Sequence, residues 1–119
     1  MRIIVVGAGA VGSYLAERFS SEKQDVVVIE SNPKRAAEMQ NDLDCLVISA
    51  NGASAATIAQ AGGAETDLLI AVSSSDAVNV LACHAAHELG IERKIARIED
   101  AELKAEVEAL GVNLVSDPG

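Results

Sequence analysis

The sequence predicts an α/β fold, a doubly wound parallel sheet of about six strands with helices on both faces. Three observations predict it. Six short β-branched runs alternate along the chain with five longer helical patterns, the order that lays crossover helices against a parallel sheet. The runs are nearly unbroken in Val, Ile and Leu rather than alternating with polar residues, as strands read when both their faces are buried. No repeat, low-complexity tract or linker divides the 119 residues, so a single domain is expected over residues 1–119.

The first strand is expected at Ile3–Val6, and a glycine-rich turn leads from it into a helix at Val11–Ser21. Val11, Leu15 and Phe19 stand four apart, a stripe able to cover the sheet. The second strand, Val26–Ile29, gives way to "SNPK". Pro33 there suits a first helical turn and Ser31 or Asn32 a cap, which sets the second helix at Pro33–Asn41. The third strand and helix follow at Cys45–Ile48 and Ser54–Ala61, and the fourth pair at Leu68–Val72 and Asp76–Leu89. The fifth pair is Lys94–Ile98 and Ala101–Leu110, and Asn113–Val115 completes the sheet. Gly90 and Gly111 close the last two helices as C-terminal glycines do.

Composition narrows the function. Half of the residues are apolar but only 2% are aromatic, so the core is built from Val, Ile, Leu and Ala. A formal net charge of -9 repels phosphate backbones and anionic lipid surfaces, which argues against nucleic acid as a partner. An anionic ligand would need locally arranged donors. No apolar run reaches the roughly 18 residues of a membrane span, and the first residues lack the basic start and cleavage site of a signal peptide. A cytoplasmic protein without direct membrane insertion is expected. Cys45 and Cys83 fall in separate apolar segments without metal-ligand spacing and read as buried thiols.

Gly7, Gly9 and Gly12 spell GxGxxG between the first strand and the first helix, with Ala8, Ala10 and Val11 filling the turn. In this setting Gly7 makes the tight turn, Gly9 lets backbone approach a diphosphate, and Gly12 lets the helix pack close to the strand. The helix N-terminus offers free N–H groups and a partial positive charge, so an acidic protein can still hold an anion there. The fold is thus of Rossmann type. Glu30 ends the second strand eighteen residues after Gly12, near the spacing at which an acid reaches the ribose hydroxyls of adenosine. Its carboxylate would accept from both hydroxyls and repel a 2′-phosphate, favouring NAD over NADP, with Ser31 beside it. Lys34 and Arg35 follow, either to meet a 2′-phosphate or as a solvated helix start. Glu30 does not distinguish NAD(H) from ATP, ADP or AMP, which share the ribose diol.

In a doubly wound sheet the carboxyl ends of the first and fourth strands flank the ligand crevice. The polar loop "AVSSSDAVN" follows the fourth strand, so Val72, Ser73, Ser74, Asp76 and Asn79 are expected to face the distal half of a nucleotide. Asp76 is also a plausible helix cap. Arg97, ending the fifth strand, is placed to swing toward phosphates or to pair with Glu99 or Asp100.

The blocks "IIVVGAGAVGSYLA", Glu30, "AVSSSDAVNVLACHAA" and "ARIED" resemble, in order and spacing, the KTN or RCK domain. That is the nucleotide-binding domain of TrkA-like regulatory subunits of potassium uptake systems. The resemblance covers nearly the whole chain. It implies a cytoplasmic sensor that binds NAD(H) or adenine nucleotides and gates a membrane-embedded potassium transporter or channel subunit at the inner face of the membrane, and that assembles as a homodimer or larger ring. It further implies that Gly7, Gly9, Gly12 and Glu30 hold adenosine and diphosphate, that Ser73, Ser74 and Asp76 line the distal pocket, and that Arg97 contacts phosphate. Two departures stand out. Where the family commonly carries a Gly-Asp-Ala-Thr-like motif near the adenine, this chain has "NGAS", so Asn51, Gly52 and Ala53 take that place without the acid. Family members also usually continue into a C-terminal subdomain, whereas this sequence ends in "SDPG", as a piece of a longer protein or a free-standing domain.

The competing class is an enzyme, the cofactor domain of an NAD-dependent dehydrogenase. Hydride transfer needs a second substrate and an acid–base group, and no catalytic residues are visible. Tyr14 is followed four residues on by Arg18 rather than Lys. His84 and His87 are three apart with no third ligand nearby, so no metal site is expected. The acidic run from Glu99 to Glu108 reads as a solvated helix face or as an adaptation to a salt-rich cytoplasm. For a sensor, the expectation is that different nucleotides set different separations between the Gly7–Gly12 turn and the Ser73–Asp76 loop.

Overall fold

A computed structural model describes residues 1–115; the closing "SDPG" lies outside the described residues. Six strands form one sheet: β1 (Arg2–Val6), β2 (Asp25–Glu30), β3 (Leu46–Ser49), β4 (Leu68–Ala71), β5 (Arg93–Ala96) and β6 (Val112–Leu114). The α-helices are α1 (Ala10–Ser21), α2 (Pro33–Asp42), α3 (Ala55–Ala61), α4 (Asp76–Glu88) and α5 (Ala101–Glu108). The sheet order is β3-β2-β1-β4-β5-β6 and every pairing is parallel. After β3 the chain returns to the far side of β1, which makes the β1/β4 junction the switch point of a Rossmann-type sheet.

The pleat of β1 divides the core. Ile4 and Val6 point to the face covered by α3, α4 and α5, where they join Ile58, Cys83 and Val107. Ile3 and Val5 point to the other face, with Ala16 of α1 and Met39 of α2. Burying each such aliphatic side chain contributes about 1.5–3 kcal/mol. On α4 the buried contacts are mostly small, Ala82, Cys83, Ala85 and Ala86, so this helix can lie close to the sheet.

Strand and helix limits differ from the sequence reading by a residue or two. The pairing of β4 with β5 ends at Ala71 and Ala96, which leaves Val72, Arg97 and Ile98 outside the strands although Val72 and Ile98 are buried. The expected stripe on α1 is corrected at its start. Val11 is 39% exposed, whereas Gly12 and Ala16 are the buried residues of the helix and Leu15 and Phe19 pack partly against the core. A residue three back from Leu15 points more directly at the sheet than one four back, and glycine there lets the helix close on it. Asn32, not Ser31, caps α2: its Oδ1 accepts from the N–H groups of Lys34 and Arg35. Gly90 and Gly111 follow α4 and α5 with positive φ.

The end of α1 has no glycine. Gln24 N–H donates to Phe19 O and Lys23 N–H to Ser20 O, the paired bonds of a left-handed helix ending. Lys23 takes the left-handed position itself, with φ 63°.

Candidate functional site

Between Val6 and Ala10 the chain must leave a buried strand and enter a helix within three residues. Gly7 has φ +103°, and a Cβ on it would lie 2.6 Å from Ser73 Cα. A Cβ on Gly12 would lie 1.9 Å from Gly7 O. Both positions are therefore glycine for reasons internal to the fold. Gly9 is different: its φ is -72° and ψ -166°, which any residue adopts, and among the described residues nothing lies within 4 Å of a Cβ placed there. Gly9 is also the N-cap of α1, without a side-chain cap. The first bond of the helix runs from Ser13 N–H to Gly9 O at 2.9 Å, so the amides of Ala10, Val11 and Gly12 precede the helical ladder and carry its positive end.

Glu30 closes one side of this turn. It is 6% exposed. Its Oε1 accepts from Ala8 N–H at 2.8 Å and its Oε2 from Asn32 N–H at 2.8 Å. The carboxylate thus joins the glycine turn to the cap of α2, and each oxygen keeps acceptor capacity for a further donor. Arg35, half-exposed, brings its guanidinium to 4.0 Å from Oε1.

The opposite side is the β4–α4 loop. Ser75, not Asp76, caps α4, its Oγ accepting from Val78 N–H at 3.2 Å. Asp76 turns away and accepts from Glu99 N–H and Asp100 N–H at 2.9–3.2 Å. Asn79 is fully buried and bonds both to Ser73 and to the carbonyl of Arg97. The Arg97 guanidinium donates to Ser73 O at 3.4 Å, rather than pairing with Glu99 or Asp100.

These two sides enclose a crevice of about 300 Å³ at the carboxyl ends of the strands. Gly7, Ala8, Gly9, Ala10 and Val11 line it on the turn side, and Glu30, Ser31 and Arg35 beyond β2. Asn51 and Gly52 come from the β3–α3 loop, and Val72, Ser73, Ser74 and Arg97 from the far side. Four residues expected at the ligand are placed elsewhere. Gly12 is buried beneath the turn, Asp76 is committed to the β5–α5 loop, Asn79 stands behind Ser73, and Ala53 is outside the lining, its N–H donating to Asn51 Oδ1. The crevice also takes in Val6, Ile29, Asn32, Ser75 and Val78. Val6 ends β1 and Ile29 is the last residue but one of β2, and their place at the switch point follows from topology.

Cys83 is buried in the core under α4, and that burial pushes its thiol up to about 11. Burial also raises Cys45, partly offset by the neighbouring Ser20 hydroxyl. His84 and His87 are exposed on α4, away from the crevice. No helix among the described residues is long and apolar enough to cross a membrane.

The family model for the TrkA-N domain matches residues 3–118. The Trk system potassium uptake protein TrkA of Vibrio alginolyticus is 36% identical over 111 residues, which are 92% of this chain and 24% of that protein. The chain therefore spans about a quarter of that relative's length. Among solved structures, the TrkA-N domain of the inner membrane protein ybaL from Escherichia coli superposes with a TM-score of 0.85 at 23% identity, covering 98% of this chain and 87% of that one. The GsuK channel bound to NAD superposes with a TM-score of 0.82 at 20% identity, covering 96% of this chain and 21% of that one. GsuK bound to ADP gives a TM-score of 0.81 at 20% identity, covering 96% of this chain and 30% of that one. At these identities the superpositions speak to the fold.

Proposed function

The chain belongs to the TrkA-N domain family, and from that premise we propose that it is the nucleotide-sensing domain of a potassium uptake system. In this reading the crevice holds NAD(H) or an adenine nucleotide, and occupancy is passed to a membrane-embedded transporter or channel subunit. The observation that carries it is Gly9. Gly7 and Gly12 are accounted for by the fold, but the space where a Gly9 side chain would stand has no neighbour among the described residues. A phosphate group lying against the first turn of α1 fits that space and would meet the free amides of Ala10 and Val11.

Each further residue has a role consistent with such a ligand. Glu30 is fixed by two backbone amides with acceptor capacity left toward the crevice, which suits a ribose diol. Arg97 reaches over Ser73 from the far side, which suits a second phosphate. Relatives named as potassium uptake proteins and a channel of the same fold bound to NAD and to ADP support the reading.

The floor of the crevice constrains how a signal would leave it. Gly7 and Ser73 touch so closely that no side chain fits between them, so the two sides are in direct contact at their base. Ligands of different length would act above the floor, on Arg97, Ser74 and the loops behind them. Output through a homodimer or ring is part of the same proposal.

The test is calorimetric titration of the chain with NAD, NADH, ATP, ADP and AMP, repeated on Gly9→Ala. Binding by the parent chain that weakens at least about tenfold in Gly9→Ala, with the fold unchanged, is the expected result. Equal binding by parent and variant would remove Gly9 from the ligand. No binding by the parent would remove the nucleotide.

A further inference from the structure

We propose that Asn79 is a positioning residue of the crevice: it sets Arg97 and Ser73 so that the guanidinium meets the second phosphate of the ligand. The inference rests on the nucleotide reading above. Asn79 does not line the crevice and is wholly buried, yet its side-chain amide is saturated by the two segments that do. Oδ1 accepts from Ser73 N–H at 2.9 Å and from the Ser73 hydroxyl at 2.8 Å. Nδ2 donates to Ser73 O at 3.0 Å and to Arg97 O at 2.8 Å. The orientation of the amide is forced, because turning it over would set an NH₂ against the Ser73 N–H. The Arg97 main chain is thereby clasped from both sides, since its own N–H donates to Ala71 O at 3.0 Å.

The chemistry explains why asparagine stands there. The ends of β4 and β5 have run out of sheet pairing at Ala71 and Ala96, and one carbonyl on each strand's continuation needs a donor while Ser73 N–H needs an acceptor. A single planar group offering two donors and two acceptor sites meets all of these at once. A buried network of this kind is rigid when complete and costly when one member is missing. Rigidity here is handed to Arg97, whose guanidinium reaches Ser73 O and so lies across the crevice from the amides of α1. With the first phosphate on those amides, the second falls to Arg97.

Four proteins decide the matter: the parent chain, Asn79→Ala, Arg97→Ala and the double variant, each titrated with AMP and ADP. The expected result is that the ADP-over-AMP preference of the parent falls about tenfold in either single variant, the worth of one hydrogen bond to a charged group. The double variant then loses no more than Arg97→Ala alone. Equal weakening of AMP and ADP in Asn79→Ala, or losses that add in the double variant, overturns the proposal. If the parent binds ADP and AMP alike and Arg97→Ala changes neither, the assignment of Arg97 fails and takes this proposal with it. If the parent binds neither, the nucleotide reading has failed, and this proposal with it. Should Asn79→Ala not fold, nuclear magnetic resonance of the parent chain supplies the test. ADP, but not AMP, shifts the Asn79 side-chain amide signals; an ADP-induced shift at the Arg97 amide with Asn79 unmoved overturns it.

Discussion

At Gly9 and Gly12 the same substitution has opposite expected consequences. Gly12→Ala forces a methyl into Gly7 O and should cost about 3 kcal/mol, measured by urea unfolding. Gly9→Ala meets nothing among the described residues and has an ordinary backbone conformation, so stability should move by less than about 1 kcal/mol while, on the proposed reading, nucleotide affinity drops. Cys83 gives a second prediction. A thiol held up to about 11 against an ordinary value near 9 keeps its proton in the folded chain while the unfolded chain ionises. Its contribution is complete below pH 9 and is lost as the pH rises toward 11, amounting to about 2–3 kcal/mol. The parent should lose that much more stability over this interval than Cys83→Ala in pH-dependent urea titrations. What the sequence revealed at this scale were residues whose position in a motif carries the meaning: the three glycines, Glu30 at a strand end, Arg97 at another. In the sequence Asn79 and Asp76 read as facing the ligand, and Asp76 also as a cap, whereas both turn to backbone groups of neighbouring segments. Their partners, Arg97, Glu99 and Asp100, come from the next strand–loop, and nothing in the local pattern says that a helix side chain will reach them.

Among the elements, α1 carries a small unmet opportunity. Lys23 occupies the left-handed closing position that glycine takes after α4 and α5, at a cost of about 1–2 kcal/mol relative to a residue without a Cβ. Set against the greater freedom glycine has when unfolded, Lys23→Gly should raise stability by about 0.5–1 kcal/mol, read as an upward shift of the urea midpoint. The junction of α4 with the β5–α5 loop can be tested separately. Asp76→Ala frees the Glu99 and Asp100 amides, whose hydrogen exchange should quicken at least about tenfold while exchange in β1 and β2 stays unchanged. The inner strands were plain from their Val and Ile runs, because a strand buried on both faces has no other composition open to it, whereas the edge strand β3 leaves Leu46 exposed. Strand ends were not plain. Val72 and Ile98 are as apolar as the strands they follow, and only the register of β4 against β5 shows that pairing has stopped. The sequence points to Asp76 as the cap of α4, but Ser75 takes that place while Asp76 turns to the Glu99 and Asp100 amides.

Taken whole, the molecule carries a net charge of -9, with three ion pairs among its described residues. Self-repulsion therefore outweighs pairing, and added KCl should raise the melting temperature, with most of the gain reached by about 0.15 M, where the screening length is about 8 Å. A fall in melting temperature over that range would mean that the surface pairs matter more than the net charge. The doubly wound parallel sheet followed from the alternation of strands and helices, but the contact that seals the crevice floor did not, since Gly7 and Ser73 are remote in the chain and meet only once β1 and β4 pair. That contact has a consequence for synthesis. A chain emerging from the ribosome that has completed β3 already displays the glycine turn and Glu30, yet it lacks the wall supplied by Ser73 and Arg97. Such an intermediate offers half a cradle. On the proposed nucleotide reading, full affinity would need that second wall, so occupancy of the crevice would report a finished copy.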